Sequence, residues 1–281
     1  EIDLLFTEAT LLILAALGQV RSSFSVNTEA KNLDMALKSV DDQYEGCVNN
    51  MTRMVTTVYM KKETSDPKSN FTKAWEDGVK KAKTPTDANL KMNHSIAIYV
   101  YTDDRVYSTF NKAVSSDKNR YKAKKYSWYS LHFWLTEAVQ ILRKNQGVCK
   151  TSYRGTKFTY STKEVRFGSF ASSSFKRAVA IKFGDKSCFV IYTCQGADVQ
   201  KYSKYPLEQE VLIPPYETFT VTAVKTKTDD PNLWCDSVFT LSSVRIVSNV
   251  NCALFNVHYF TVNFCNLMSI ILQLFYSKFL C

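Results

Sequence analysis

Two carboxylates one residue apart, Glu208 and Glu210, dominate the stretch Lys201 to Phe219, KYSKYPLEQEVLIPPYETF. In an extended strand residues i and i+2 point to the same side, so the two acids are expected to project together while Gln209 faces away. That gives one acid pair aimed at one site. The run VLIPP that follows reads as a short apolar strand stopped by two prolines, which cannot donate to a sheet ladder. The acids are thus expected where a loop enters a buried strand, a rigid setting for chemistry. By itself a Glu-x-Glu is usually a solvated strand edge, and it is the neighbouring segments that set this one apart.

Arg154, in SYRGTKF, closes a predicted strand just before Gly155. Its planar guanidinium suits a bidentate contact with a pyrophosphate, although an isolated arginine is more often a surface group. Ser172 opens the run Ser172-Ser173-Ser174 in VRFGSFASSSF, which by composition alone reads as a loop.

The elements that must carry these groups come in two blocks. Asn32 to Val40 reads as a short amphipathic or loop segment, and Met51 to Lys61 as a helix. A second helix is predicted over Ser69 to Lys83, with Phe71, Ala74, Trp75 and Val79 at helical spacing. Ser95 to Thr102, SIAIYVYT, is β-branched and aromatic and reads as a buried strand. A helix from about Trp128 to Arg143 places Leu131, Trp134, Leu135, Ala138 and Leu142 on one face. Strands are then expected at Thr151 to Arg154, Val165 to Phe167, Cys188 to Thr193, Val211 to Ile213, Thr218 to Lys225 and Val238 to Ser243. Helices first and strands second imply an α+β domain rather than a parallel α/β sheet. Neither GxGxxG nor GxxxxGK occurs, which argues against Rossmann or P-loop nucleotide binding.

With 45% hydrophobic and 14% aromatic residues in 281, the chain can fill a substantial core, and one large domain is expected. The net charge of +10 is spread over Lys61 to Lys83, Lys112 to Lys125 and Lys176 to Lys204. No nucleic-acid motif accompanies it, so a solvated basic surface and no nucleic-acid partner are expected. The eight cysteines form no CxxC pair and none sits at ligand spacing from a histidine, so they read as disulfides in an oxidising compartment, with no metal site. Asn50-Met51-Thr52, Asn70-Phe71-Thr72 and Asn93-His94-Ser95 are glycosylation acceptors and point the same way. Residues 1–25 hold the apolar run Leu11 to Leu17 and read as a secretory signal peptide, although acidic residues replace the usual positive flank. A buried N-terminal helix is the alternative.

The order arginine, serine, Glu-x-Glu, carried by Arg154, Ser172, Glu208 and Glu210, resembles the vertebrate arginine-specific ecto-mono-ADP-ribosyltransferases. The resemblance runs from about Tyr44 to about Phe255 and takes in DDQYEGC, SIAIYVYT, LHFWLTEAVQIL and WCDSVFTLSSV. It implies N-terminal helices packed on a mostly antiparallel two-sheet β core, with a catalytic domain over 26–255. It also implies an enzyme that takes NAD, and alternatively NADP, as co-substrate without a metal, and transfers ADP-ribose to exposed arginines of proteins with release of nicotinamide. By the same resemblance Glu210 stabilises the charge on the ribose, Glu208 handles the acceptor guanidinium, Ser172 orders Glu210, and Arg154, Tyr101, Ser169 and Ser203 contact NAD. Cys149 is paired with Cys194 and Cys47 with Cys252, leaving Cys188 and Cys235 as a hypothetical third pair. NAD hydrolysis, or silent NAD binding by a secreted glycoprotein, are the alternatives. The protein is expected in the secretory pathway, extracellular or on the cell surface. The hydrophobic tail 256–281 matches no pattern of the family and is a candidate for membrane attachment, although a polar spacer is not evident.

Overall fold

The computed structural model describes residues 31–255 except 33, 148, 162 and 163; the expected leader and the tail 256–281 lie outside the described residues. Helix α1 (Val48–Met54) continues through a π-helical turn, Val55–Tyr59, into α2 (Met60–Glu63). Ser69 starts α3 (Asn70–Lys81) by accepting the Thr72 N–H at 3.0 Å, a cap worth ~1 kcal/mol. Phe71, Ala74 and Gly78 turn to the core, whereas Val79 is 56% exposed. A Cβ at Gly78 would lie 3.0 Å from Ile96 Cγ2, so the missing side chain is what lets the next element approach.

That next element corrects an expectation. Ser95 to Thr102 is not a strand: Ser95 to Tyr101 belong to helix α4 (Met92–Tyr101), which Thr102 caps, with seven of the helix's ten residues buried. A helix surrounded by neighbours needs no polar stripe, and without the 3.6-residue rhythm its Ile, Val and Tyr content imitates a buried strand. Two helices that the sequence reading lacked follow, α5 (Tyr107–Ser116) and α6 (Lys118–Lys122). Helix α7 (Tyr129–Gln146) lies where one was expected and packs along α4. Leu131, Leu135 and Leu142 are buried along it, each contributing ~1.5–3 kcal/mol by leaving water.

The second block is a sheet. Its strands are β2 (Lys150–Thr156), β4 (Glu164–Val165), β5 (Ala171–Ser174), β6 (Ser187–Thr193), β7 (Ala197–Asp198), β8 (Glu210–Ile213), β9 (Glu217–Thr226) and β10 (Ser237–Ile246). They run in the order β4-β9-β10-β6-β2-β5-β8-β7, and every pairing is antiparallel except β10 with β6. A minor parallel pair joins β1 (Lys31–Asn32) to β3 (Tyr160–Ser161). Between β2 and β5 the ladder consists of the single pair Tyr153↔Ser174, so the larger sheet is continuous there but narrow. Phe189, Ile191, Ile213, Phe219, Phe239 and Leu241 form the core of the sheet. After β5 the chain turns through α8 (Arg177–Ala180) and the 3₁₀ turn Ile181–Phe183.

Three disulfides join Cys47 to Cys252, Cys149 to Cys194 and Cys188 to Cys235. A buried ion pair, unforeseen from the sequence, closes the same body. Arg166 Nη1 donates to Asp41 Oδ2 at 2.5 Å and to the Val247 carbonyl at 2.9 Å, and Nη2 to the Ala36 carbonyl at 2.6 Å. Both side chains of the pair are fully buried. The hydrogen bonds that surround the pair offset the cost of taking its charges out of water.

Candidate active site

Where β2 and β5 part beyond Tyr153↔Ser174, a cavity of about 260 Å³ opens, and Arg154, Ser172, Glu208 and Glu210 all lie on its wall with Tyr107 and Phe183. Gly155 keeps this wall thin. A Cβ there would lie 2.3 Å from the carbonyl oxygens of Ala180 and Gly184, so only glycine lets β2 pass the segment after α8. Arg154 donates from Nη1 to the Ser172 carbonyl, which ties one side of the narrow junction to the other.

The two acids do not sit on one face of a strand. Glu208 ends the 3₁₀ turn Pro206–Glu208, Gln209 adopts a left-handed backbone with φ 48°, and Glu210 begins β8. A left-handed non-glycine residue is costly and is held here by its surroundings. The Gln209 carbonyl accepts the Phe175 N–H at 3.1 Å, and the Glu208 carbonyl accepts the Ser174 hydroxyl at 2.6 Å. The i, i+2 expectation of a regular strand does not hold, and the kink at Gln209 is what brings the pair to one cavity.

The acids differ in setting. Glu210 is 4% exposed; burial pushes its carboxyl up to about 7, and the Glu208 charge adds to this, against the Ser172 hydrogen bond and the Arg154 charge. Glu208 is half-buried, and its carboxyl is raised by burial and by the Asp104 charge while Lys182 pulls it back. One buried acid and one accessible acid in the same cavity allow different roles.

Tyr101 stands behind this wall. Its side chain is fully buried, its hydroxyl shares a hydrogen bond of 3.1 Å with Ser172 Oγ, donates to the Phe170 carbonyl at 3.2 Å and accepts from Asn111 Nδ2 at 3.2 Å. Tyr101 thus supports Ser172 from within the core rather than lining the cavity. Ser169 points at the Phe170 carbonyl at 3.5 Å, and Ser203 is buried, accepting the Tyr205 N–H at 3.0 Å. Neither is on the cavity wall. Tyr107, Phe183 and Ser174 were missed; Ser174 lay in the quoted serine run, but nothing in the spacing marks the two aromatics. Among the described residues no group of His, Cys, Asp or Glu is arranged to hold a metal ion.

The family model described as NAD:arginine ADP-ribosyltransferase matches residues 33–242. The chain belongs to this family. A mouse relative, GPI-linked NAD(P)(+)--arginine ADP-ribosyltransferase 1, is 33% identical over 229 residues, covering 75% of this chain and 70% of that protein. The cattle ecto-ADP-ribosyltransferase 5 is 34% identical over 240 residues, covering 79% and 73%. The crystal structure of the eucaryotic mono-ADP-ribosyltransferase ART2.2 superposes with a TM-score of 0.64 at 31% identity, over 79% of this chain and 98% of that one. A variant of ART2.2 in complex with NAD gives 0.62 at 31% identity over the same shares. Within this NAD:arginine ADP-ribosyltransferase, the cavity is smaller than the roughly 300–1,000 Å³ usual for a whole ligand. An arginine, two acids and the aromatic side chains of Tyr107 and Phe183 line it.

Proposed function

We propose that this protein cleaves NAD between nicotinamide and ribose and transfers ADP-ribose to arginine side chains of proteins. The observation that carries the reading is the convergence of Arg154, Ser172, Glu208 and Glu210 on one cavity. The C–N bond to nicotinamide breaks with its electron pair going to the ring nitrogen, so nicotinamide leaves neutral and the ribose carbon becomes cationic. Glu210, ionised and shielded from water, stabilises that charge, since a carboxylate is worth most where the dielectric is low. A guanidinium nitrogen of the acceptor then bonds to the ribose carbon and releases one proton. Glu208 takes that proton, and its raised carboxyl makes it a better base than an ordinary glutamate. Arg154 is assigned to the pyrophosphate. Ser169 and Ser203 remain proposed contacts of NAD, and Tyr101 is proposed to act through Ser172 and not by touching NAD.

NADP is proposed as an alternative donor, supported by the NAD(P) in the names of several relatives. A cell-surface or extracellular location is supported by the ecto- and GPI-linked relatives and by the three disulfides. Attachment through the segment 256–281 is proposed on the GPI-linked relatives alone, and a catalytic domain over 26–255 on the family match. The deciding experiment is nicotinamide release from NAD by the oxidised protein, with and without agmatine. Release together with labelled agmatine is the expected result. Release without labelled agmatine would make the protein a hydrolase, and a folded but silent sample would make it a binding protein.

A further inference from the structure

Two sides of the site are held from one place, the end of helix α4, by two separate sets of contacts. Tyr101, the last residue of α4, reaches Ser172, which lies on the cavity wall with Glu210. The next three residues reach the other acid's turn. Thr102 Oγ1 accepts the Lys204 N–H at 2.9 Å, Asp103 Oδ2 accepts Lys204 Nζ at 3.0 Å, and Asp104 Oδ2 accepts the Tyr205 hydroxyl at 2.8 Å. Tyr205 in turn accepts the Glu208 N–H on its carbonyl at 3.0 Å.

Three features fix the geometry of this latch, although its outer bond, from Tyr205 to Asp104, is exposed. Asp103 is 1% exposed and is gripped by Arg105, whose Nε and Nη2 lie 2.9 and 2.6 Å from its two oxygens. Arg105 is itself anchored to Asp77 on α3 at 2.6 Å. Finally, three consecutive residues of one segment meet two consecutive residues of the other, which fixes direction as well as distance. We propose that Thr102, Asp103 and Asp104 are positioning residues for Glu208, and that through Lys204 and Tyr205 they set how ADP-ribose is divided between an arginine acceptor and water. The inference rests on the acceptor role assigned to Glu208 above. Loosening this latch misplaces Glu208, the group that serves the guanidinium, but leaves the Tyr101–Ser172 bond and Glu210 in place, so cleavage of NAD continues.

The test compares the wild-type protein with Tyr205→Phe, Asp104→Asn, the double variant and Glu208→Gln, measuring transfer to agmatine and NAD hydrolysis in each. A lost hydrogen bond of this kind predicts about a three- to tenfold fall in kcat/KM for agmatine, with hydrolysis within about twofold of wild type. The double variant should be no worse than the worse single one, because the two side chains make one contact. An equal loss of both activities, an unchanged partition, or additive effects in the double variant would overturn the latch. Melting temperatures guard against simple unfolding. Should either single variant fail to fold, Lys204→Met, which breaks the contact to Asp103 and leaves Arg105 on it, replaces that variant with the same expected partition. If Glu208→Gln shifts the partition and the latch variants do not, the latch alone falls; if wild type does not label agmatine, the acceptor role falls and takes the latch with it.

Discussion

Glu208 and Glu210 share one cavity but not one environment: the left-handed Gln209 between them leaves the first half-exposed at the end of a turn and the second buried at the start of β8. This asymmetry fits the proposed division of labour, with Glu210 at the sugar and Glu208 at the acceptor arginine.

Replacing Glu210 by Gln should abolish both transfer and hydrolysis, with kcat falling by about 10²–10³ as for the loss of one charge-stabilising group. In the wild-type protein, activity should rise with pH through about 7 as this carboxyl ionises. Undiminished turnover by the variant, or a flat profile between pH 6 and about 8, would remove Glu210 from its assigned place.

The same variant has a stability signature. A carboxyl raised from 4.5 to about 7 in the folded state favours folding fully below pH 4.5 and loses that contribution as pH rises through 7. The advantage of Glu210→Gln over wild type should therefore grow across this window, by on the order of 1–3 kcal/mol. Asp42 and Glu63, also raised by burial to about 6 and about 7, titrate in both proteins and cancel in the difference. Thermal melts of the two proteins from pH 4 to 8 give the comparison, and a constant gap would contradict it.

Arg154→Lys keeps a positive charge but loses the planar fork and the reach to the Ser172 carbonyl. KM for NAD should rise about tenfold with a smaller change in kcat, since the lost hydrogen bonds are to a charged group already present in the ground state. Initial rates at varied NAD decide it; a fall confined to kcat would place Arg154 at the reacting bond instead.

Legibility followed distance along the chain. The acid pair, Arg154 and Ser172 were singled out by their order along the chain, through the resemblance to a family and not by any one motif alone, and the long helix α7 was readable because its apolar stripe faces a core on one side only. Helix α4 was misread because burial on nearly all sides erased its periodicity. The turn at Gln209 was hidden because no glycine marks its positive φ. Tyr101 was named as a contact of NAD, yet its place behind Ser172 depends on packing between α4 and the sheet that no local pattern encodes. The Asp41–Arg166 pair spans 125 residues and has no local signal at all.

That pair supports a stability prediction. Arg166→Met leaves the buried Asp41 charge without its partner and should cost about 3–5 kcal/mol, while Arg166→Met with Asp41→Asn should recover part of the loss. Urea unfolding with the disulfides intact measures both, and a single variant as stable as wild type would show the pair to be dispensable.

The closure around Asp41 has one more consequence. Asp41 Oδ1 accepts the Asn249 and Val250 N–H groups at 2.8 and 3.1 Å, Asp42 Oδ1 accepts that of Cys252 at 2.9 Å, and the Cys47–Cys252 bridge lies beside them. Topologically the catalytic body is a ring, so it cannot unravel from either of these stretches. A circular permutant that joins them and opens the exposed turn at 228–232 would keep every contact of the cavity, whereas a cut within 41–47 or 247–252 would break the ring at its clasp.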